Sequence, residues 1–270
     1  MIKRFLCKEL PKWLKKLQDE KEPLISIIVP TLNEEEHIKT LLLSIEHQAT
    51  INFETLIMDG GSKDRTSKIA QRHNAKAIVL PGYGEFISRN IGAKMAKGEF
   101  LLFTCADIIF PDKLFQKIVQ KFSKKSGLIA LTGPGYPYDA PILGKMEYSL
   151  YNLVRYLSAK LPRSIRRFST STNFLVVRKD YFQKAGGFAV DDINADGLMG
   201  KKLLELGEVA FFLDMPIYLS ARRMKTMGFL DFNKHYLYVL ENFLFPLSKT
   251  GVVKSVKLKS KSKHREMHEI

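Results

Sequence analysis

The chain has 270 residues, 45% of them apolar, enough to bury a core in one large domain or one and a half. Two cysteines, Cys7 and Cys105, exclude a disulfide framework and fit a reducing compartment. No run reaches the roughly eighteen uncharged apolar residues of a membrane span; the basic runs behind the net charge of +15 attract phosphates on lipid or nucleic acid, but with no zinc pattern or RNA-binding motif no nucleic-acid partner is expected.

The N-terminal stretch "MIKRFLCKELPKWLKKLQDEKEP" is basic and broken by charges, unlike the apolar run of a signal peptide. From residue 24 strands and helices alternate. "LISIIVP" has the near-continuous apolarity of a buried parallel strand. In "EEEHIKTLLLSIEHQ", Ile38, Leu41, Leu42 and Ile45 share one helical face. "FETLIMD" is the second strand, and Ser62 is the expected cap of a helix running to about Asn74. "KAIVLPG" is the third strand, and "EFISRNIGAKMAKG" a helix closed by Gly98. "EFLLFTCAD" is the fourth strand, "PDKLFQKIVQKFSKK" a helix and "GLIALTG" the fifth strand. Short links between such units predict an α/β fold with a doubly wound, mostly parallel sheet and right-handed crossovers.

After Gly135 the regularity breaks. Residues 141 to 160 read as a helix with Met146, Leu150, Leu153 and Leu157 on one side. A strand–helix–helix–strand set follows, in "TNFLVVRKDYFQKAGGF", "DGLMGKKLLELGE" and "VAFFLDMPIYLS". "FLDFNKHYLYVLENFLFPLSK" has the aromatic and leucine content of an amphipathic helix, and a lysine–serine tail ends the chain. The expected divisions are a basic extension at 1–23, a main domain at 24–225 with halves at about 24–135 and 136–225, and a C-terminal helix and tail at 226–270.

Four polar clusters stand at strand ends: "PTLNEEE", "DGGSKDRT", "SRNIGAKMAKGE" and "CADIIFP". A doubly wound sheet gathers such ends along one edge, where open α/β sheets hold ligands. A dinucleotide dehydrogenase would need G-x-G-x-x-G after its first strand, where "VPTLNEEE" stands instead, and no P-loop sequence occurs.

In order and spacing these blocks resemble family 2 glycosyltransferases of the GT-A, Rossmann-like fold. "SIIVPTLNEEEHIKTLLLSI" resembles the family's opening strand and helix, and "LIMDGGSKDRT" its second-strand motif. "SRNIGAKMAKGEFLLFTCAD" resembles the segment leading to its D-x-D metal motif, and "GGF" with "ADGLMGKKLLELG" the block holding its E-D pair. The resemblance covers about residues 24 to 225. It implies a nucleotide-diphosphate sugar donor, an inverting transfer and a divalent cation, Mg²⁺ or Mn²⁺. Pro30, Thr31, Asn33, Glu34 and Asp59 are then expected to line the nucleotide pocket, with Arg89 near the diphosphate. Asp107 is the expected metal carboxylate; Cys105 replaces the first acid of that motif. Ala195 and Asp196 align with the E-D pair, which makes Asp196 the expected general base and Asp191 and Asp192 its alternatives. Arg222 and Arg223 suit bidentate phosphate binding.

The expected setting is cytoplasmic. The aromatic segment, the helix at 141–160 and the cluster Arg163, Arg166 and Arg167 suit contact with the inner face of a membrane and a lipid-phosphate or lipid-linked glycan acceptor. The aromatic helix also suits packing on the main domain or a homodimer contact. The competing expectation is a degenerate fold that binds nucleotide-sugar or a polyanion without turnover, because Cys105 and Ala195 stand where acids are expected.

Overall fold

The computed structural model describes residues 22–48, 50–162, 170–191 and 195–227. The expectations for the basic extension up to residue 21, the arginine cluster, Asp192, the aromatic segment and the tail lie outside the described residues.

The chain order is β1 (Ile25–Thr31), α1 (Ile38–Glu46), β2 (Phe53–Asp59), α2 (Thr66–Arg72), β3 (Lys76–Val79), α3 (Glu85–Met95) and β4 (Phe100–Thr104). Then come β5 (Ile108–Ile109), α4 (Leu114–Lys124), β6 (Leu128–Thr132), β7 (Gly135–Pro137) and α5 (Ile142–Lys160). The last described elements are β8 (Phe174–Arg178), α6 (Lys179–Lys184), α7 (Ala195–Leu206), β9 (Glu208–Phe211), β10 (Ile217–Leu219) and α8 (Arg222–Met227).

Seven strands form one sheet in the order β3-β2-β1-β4-β8-β6-β9. The first four are mutually parallel, whereas β8 runs antiparallel to both β4 and β6. A second sheet is made of β5, β10 and β7, which follow the main-sheet strands β4, β9 and β6 in the chain. The expected single strand "VAFFLDMPIYLS" is therefore two: the turn through Asp214 to Pro216 sends β9 to the main sheet and β10 to the small one.

Alternation along each strand sends side chains to opposite faces. Ile25, Ile27, Val29 and Leu102 join one core layer with Ile38, Leu41 and Phe115. Ile28, Leu101 and Phe103 join the other with Phe86, Phe182, Met199 and Leu203. Helices cover both faces, which is why the central strands read as continuous apolar runs.

Two local expectations changed and one held. Ser62 does not cap α2; Asp64 Oδ1 accepts from the Thr66 N–H at 2.9 Å, while Ser62 turns back to Asp59. Gly98 does not close α3, which ends at Met95; its N–H donates to the buried Ser26 Oγ at 2.8 Å, and a Cβ would press on the Ser26 backbone. The stripe of α5 exists as expected but faces outward, while Gly144, Tyr148, Asn152 and Arg155 form the buried side.

Candidate functional site

The register pairs Thr31 with Asp59 at the adjoining ends of β1 and β2. Asp59 is 1% exposed. Its Oδ1 accepts from the N–H groups of Gly61 and Ser62 at 3.1 and 2.8 Å and from Ser62 Oγ at 2.6 Å, and Ser67 Oγ donates to Oδ2. The Gly-Gly-Ser turn therefore folds around the carboxylate, and Gly61 supplies the φ of +98° that this closure needs. An ionised carboxylate oxygen accepts more than one donor, so Oδ2 keeps capacity for a ligand N–H or hydroxyl.

The loop after β1 is stitched to the same turn. The Asn33 N–H donates to Ser62 Oγ, the Lys63 N–H to Asn33 Oδ1 and the Glu34 N–H to Thr66 Oγ1, at 2.9, 2.9 and 2.7 Å. Asn33 takes φ of +53°, a conformation asparagine tolerates better than most residues. Pro30 is half-buried in the strand above this loop. Thr31 Oγ1 is buried with no hydrogen-bond partner among the described residues, an orphan at the lip of the site.

Arg222 reaches Glu34 from the far end of the domain. Its Nη1 and Nη2 donate to the two carboxylate oxygens at 2.6 and 2.7 Å, and its Nε lies 3.0 Å from Asp107 Oδ2. Burial opposes the charge of Arg222, but Glu34 and Asp107 outweigh it and raise its pKa. Arg223 is exposed, with no hydrogen bond or ion pair among the described residues.

Two residues before Asp107, Cys105 faces a second polar cluster. Its Sγ lies 3.4 Å from Arg89 Nη2 and donates to Asn173 Oδ1 at 3.4 Å. Burial pushes the thiol up to about 12 against the pull of Arg89, so it stays protonated at neutral pH. Arg89 is completely buried. It pairs with Glu85 one helical turn away, donates to the Thr104 carbonyl at 3.2 Å and lies over the Phe86 ring. Burial works against this cation too, and Glu85, with lesser help from Asp196, raises its pKa overall. Arg89 thus belongs to the floor of the site, with its charge already balanced.

Asp196 stands in the first turn of α7. Its Oδ2 accepts from the N–H and Oγ1 of Thr172 at 3.3 and 3.4 Å, while Oδ1 is buried without a partner among the described residues. Burial raises its pKa above the ordinary carboxylate range despite Arg89 and Thr172. Asp191 serves elsewhere. Its Oδ1 accepts from the Phe86 N–H at 2.7 Å and caps α3, the helix that carries Arg89.

Asp59 meets Ser62, Ser62 meets Asn33, and the next residue, Glu34, meets Arg222 and through it Asp107. Cys105 meets Arg89 and Asn173, and Asp196 is held by the adjacent Thr172. Asp59, Asn33, Glu34, Arg222 and Asp107 thus form one network, and Cys105 and Arg89 a second, at the carboxyl ends of β1, β2 and β4; Arg223 and Asp191 join neither. Sequence reading missed four supports. Asp139 accepts from the Ala221 N–H, Ser220 Oγ and Lys225 Nζ, and so anchors the start of α8. Thr172 and Asn173, entering β8, hold Asp196 and Cys105. Glu85 was legible as an i,i+4 partner of Arg89; nothing in the sequence marked the other three.

No group of three potential metal ligands occurs among the described residues. Asp107 is a one-carboxylate site with one oxygen held by Arg222, and the neutral thiol of Cys105 is no ligand for a hard cation. These residues fit a cation that takes its other ligands from water and a substrate's phosphates, as Mg²⁺ often does, rather than one caged by the protein.

The model of glycosyl transferase family 2 matches residues 26–185, more than half of the chain. An uncharacterized glycosyltransferase of Haemophilus influenzae is 27% identical over 177 residues, which are 62% of this chain and 56% of that protein. The glycosyltransferase AglE of Haloferax volcanii is 26% identical over 174 residues, with the same two shares. The chain thus spans about half the length of the curated relatives it matches. Among solved structures, the mannosyltransferase PcManGT of Pyrobaculum calidifontis, in complex with GDP-Man and Mn²⁺, superposes with a TM-score of 0.58 at 19% identity, over 77% of this chain and 62% of that one. S. aureus TarS 1-349 in complex with UDP-GlcNAc gives 0.59 at 20% identity, over 73% and 58%. At these identities the likeness establishes a shared fold, the GT-A arrangement.

Proposed function

Because the chain belongs to glycosyl transferase family 2, we propose that its rim transfers a sugar from a nucleotide-diphosphate sugar to an acceptor hydroxyl, with inversion at the anomeric carbon. The observation that carries this reading is the pair of polar networks at the ends of neighbouring strands: Asp59, Ser62 and Asn33 with Glu34, Arg222 and Asp107, and two residues from Asp107 the cluster of Cys105, Arg89 and Asn173, beside the Thr172 that holds Asp196. The donors bound by PcManGT and TarS, GDP-Man and UDP-GlcNAc, support a nucleotide-diphosphate sugar as donor here.

In this reading Pro30, Thr31, Asn33, Glu34 and Asp59 bound the nucleoside subsite. Asp59 Oδ2, which can accept a further donor beside Ser67 Oγ, and the orphaned Thr31 Oγ1 supply its available polar atoms. Arg222 and Arg223 meet the diphosphate, where negative charge grows as the bond to the sugar breaks. Arg89 acts from below by holding Cys105 and biasing Asp196. A divalent cation entering with the donor would be held by Asp107 and would supply Lewis-acid stabilisation of the leaving phosphate.

Asp196 is the general base. The acceptor oxygen attacks the anomeric carbon, its proton passes to Asp196 Oδ1, and the carbon–oxygen bond to the diphosphate breaks with its electron pair leaving on phosphate. One carboxylate and one displacement give inversion. Burial suits Asp196 to this role, since a raised pKa makes its carboxylate a stronger base. The two-cysteine composition supports a reducing, cytoplasmic setting.

One observation favours a second reading, binding without turnover: Arg222 already neutralises Asp107 and Glu34. Calorimetry and product analysis against UDP-, GDP- and dTDP-sugars separate the two. Donor binding with release of nucleoside diphosphate supports transfer, tight binding without product supports the second reading, and no binding to any donor defeats both.

A further inference from the structure

Helix α5 is built inside out. Its buried side carries Gly144, Tyr148, Asn152 and Arg155, a polar set. Its outer side carries Ile142, Leu143, Met146, Leu150, Leu153 and Leu157, each more than half exposed, with Ile142 at 71% and Leu150 at 63%. The spacing of three and four keeps this stripe on one face through all 19 residues, about 28 Å at 1.5 Å per residue. A lone exposed leucine means little, but an aligned row of six marks a surface that meets an apolar phase.

We propose that this face docks in the plane of an anionic lipid bilayer. No described helix is long and apolar enough to cross a membrane, and a helix with one apolar and one polar face lies in the interface instead. Charge selects the occupant. Lys145 and Lys160 stand exposed near the two ends of the stripe. Glu147, the only acid on the helix, is half-buried and already engaged. The whole chain carries +15. An anionic headgroup layer complements that pattern, whereas an antiparallel second copy would set lysine against lysine.

The inner face gives the docking a use. Tyr148, Asn152 and Arg155 line a hollow shared with Ser171 and Asn173, and Asn173 touches Cys105 on the rim. A bilayer against the outer face would stand one helix diameter, about 10 Å, from that hollow, so the acceptor it suits is a hydroxyl or phosphate carried on a lipid that reaches past the helix. This link to an acceptor rests on the transfer proposed above; the docking itself does not.

The test is co-sedimentation of the full chain with phosphatidylcholine vesicles with and without phosphatidylglycerol. Binding is expected to the anionic vesicles, weakened by salt, and about tenfold or more weaker for Leu150→Glu/Leu153→Glu. Far-UV circular dichroism checks the fold of that variant, and Met146→Gln/Leu157→Gln is the milder second variant. No binding of the wild type to anionic vesicles overturns the proposal, as does undiminished binding by both variants. A doubled mass in light scattering, lost in the variants while vesicles are ignored, would mean that a second copy covers the face. A melting point lowered by the variants, again without vesicle binding, would mean that the rest of this chain covers it. Either result also overturns the proposal. Nucleoside diphosphate binding is read on the same samples: its absence overturns the transfer reading and the acceptor link, while vesicle binding still decides the docking.

Discussion

The guanidinium of Arg222 grips the carboxylate of Glu34 through two hydrogen bonds of 2.6 and 2.7 Å across 188 positions of sequence. The pair ties α8 to the loop after β1 and draws Asp107 into the same network. A planar fork is what lets one side chain serve two carboxylates, and lysine cannot reproduce it.

Arg222→Gln is therefore expected to lose about 1–3 kcal/mol of stability, because it leaves a mostly buried carboxylate without its charged partner. Partial exposure of the arginine keeps the loss below that of a fully buried pair. Arg222→Lys recovers charge without the fork and should fall between the two. Urea unfolding of the three proteins measures this; equal midpoints would show that the pair is incidental.

Asp196→Asn tests the base. Turnover is expected to fall by about 10²–10⁴-fold, the usual worth of general-base catalysis, with donor affinity little changed. Titration of the nucleoside diphosphate beside a turnover assay separates the two effects. Loss of binding without loss of turnover would move Asp196 out of the reaction.

The same residue sets a pH dependence. Burial holds the Asp196 pKa above its unfolded value, so between the two values the folded chain binds more protons and stability falls as pH rises. Below that window the protonated carboxyl carries no penalty. Asp196→Asn should thus stabilise the chain more at neutral pH than in acid, while wild-type turnover rises with pH as the base ionises. Melting curves across pH check the first; a gain independent of pH would refute it.

Cys105→Asp should create a second carboxylate near Asp107 and strengthen Mn²⁺ binding by about tenfold or more, since hard cations gain affinity with each oxygen ligand. Paramagnetic resonance titration of Mn²⁺ with wild type and variant measures it directly. In the wild type the protonated thiol contributes nothing, and Mn²⁺ should bind more tightly with nucleoside diphosphate present than alone.

Gly84→Ala probes the cap. A Cβ there would overlap the Asp191 carboxylate and push it from the Phe86 N–H. The expected cost is about 1 kcal/mol, the usual worth of an N-cap. Amide exchange at the start of α3 should quicken; unchanged protection would mean that the helix start needs no Asp191.

The sequence by itself determined the strands of the main sheet, most helices and the edge on which the polar clusters meet; the small sheet of β5, β10 and β7 was not legible. Those follow from short-range physics: apolar runs such as "LISIIVP" must be buried, and carboxyl-terminal strand ends of a parallel sheet share one rim. It also determined the stripe of α5, because a period of 3.6 is visible in one dimension.

Only the tertiary structure decided how these features are used. Nothing in the order of residues says that the stripe faces outward, that β8 enters antiparallel between β4 and β6, or that Asp191 caps a helix begun 106 positions earlier at Glu85. Nor does it say that Arg222 chooses Glu34 and Asp107 as partners. Burial and charge pairing depend on which groups long-range packing brings within a few ångströms, and that distance is absent from any local pattern.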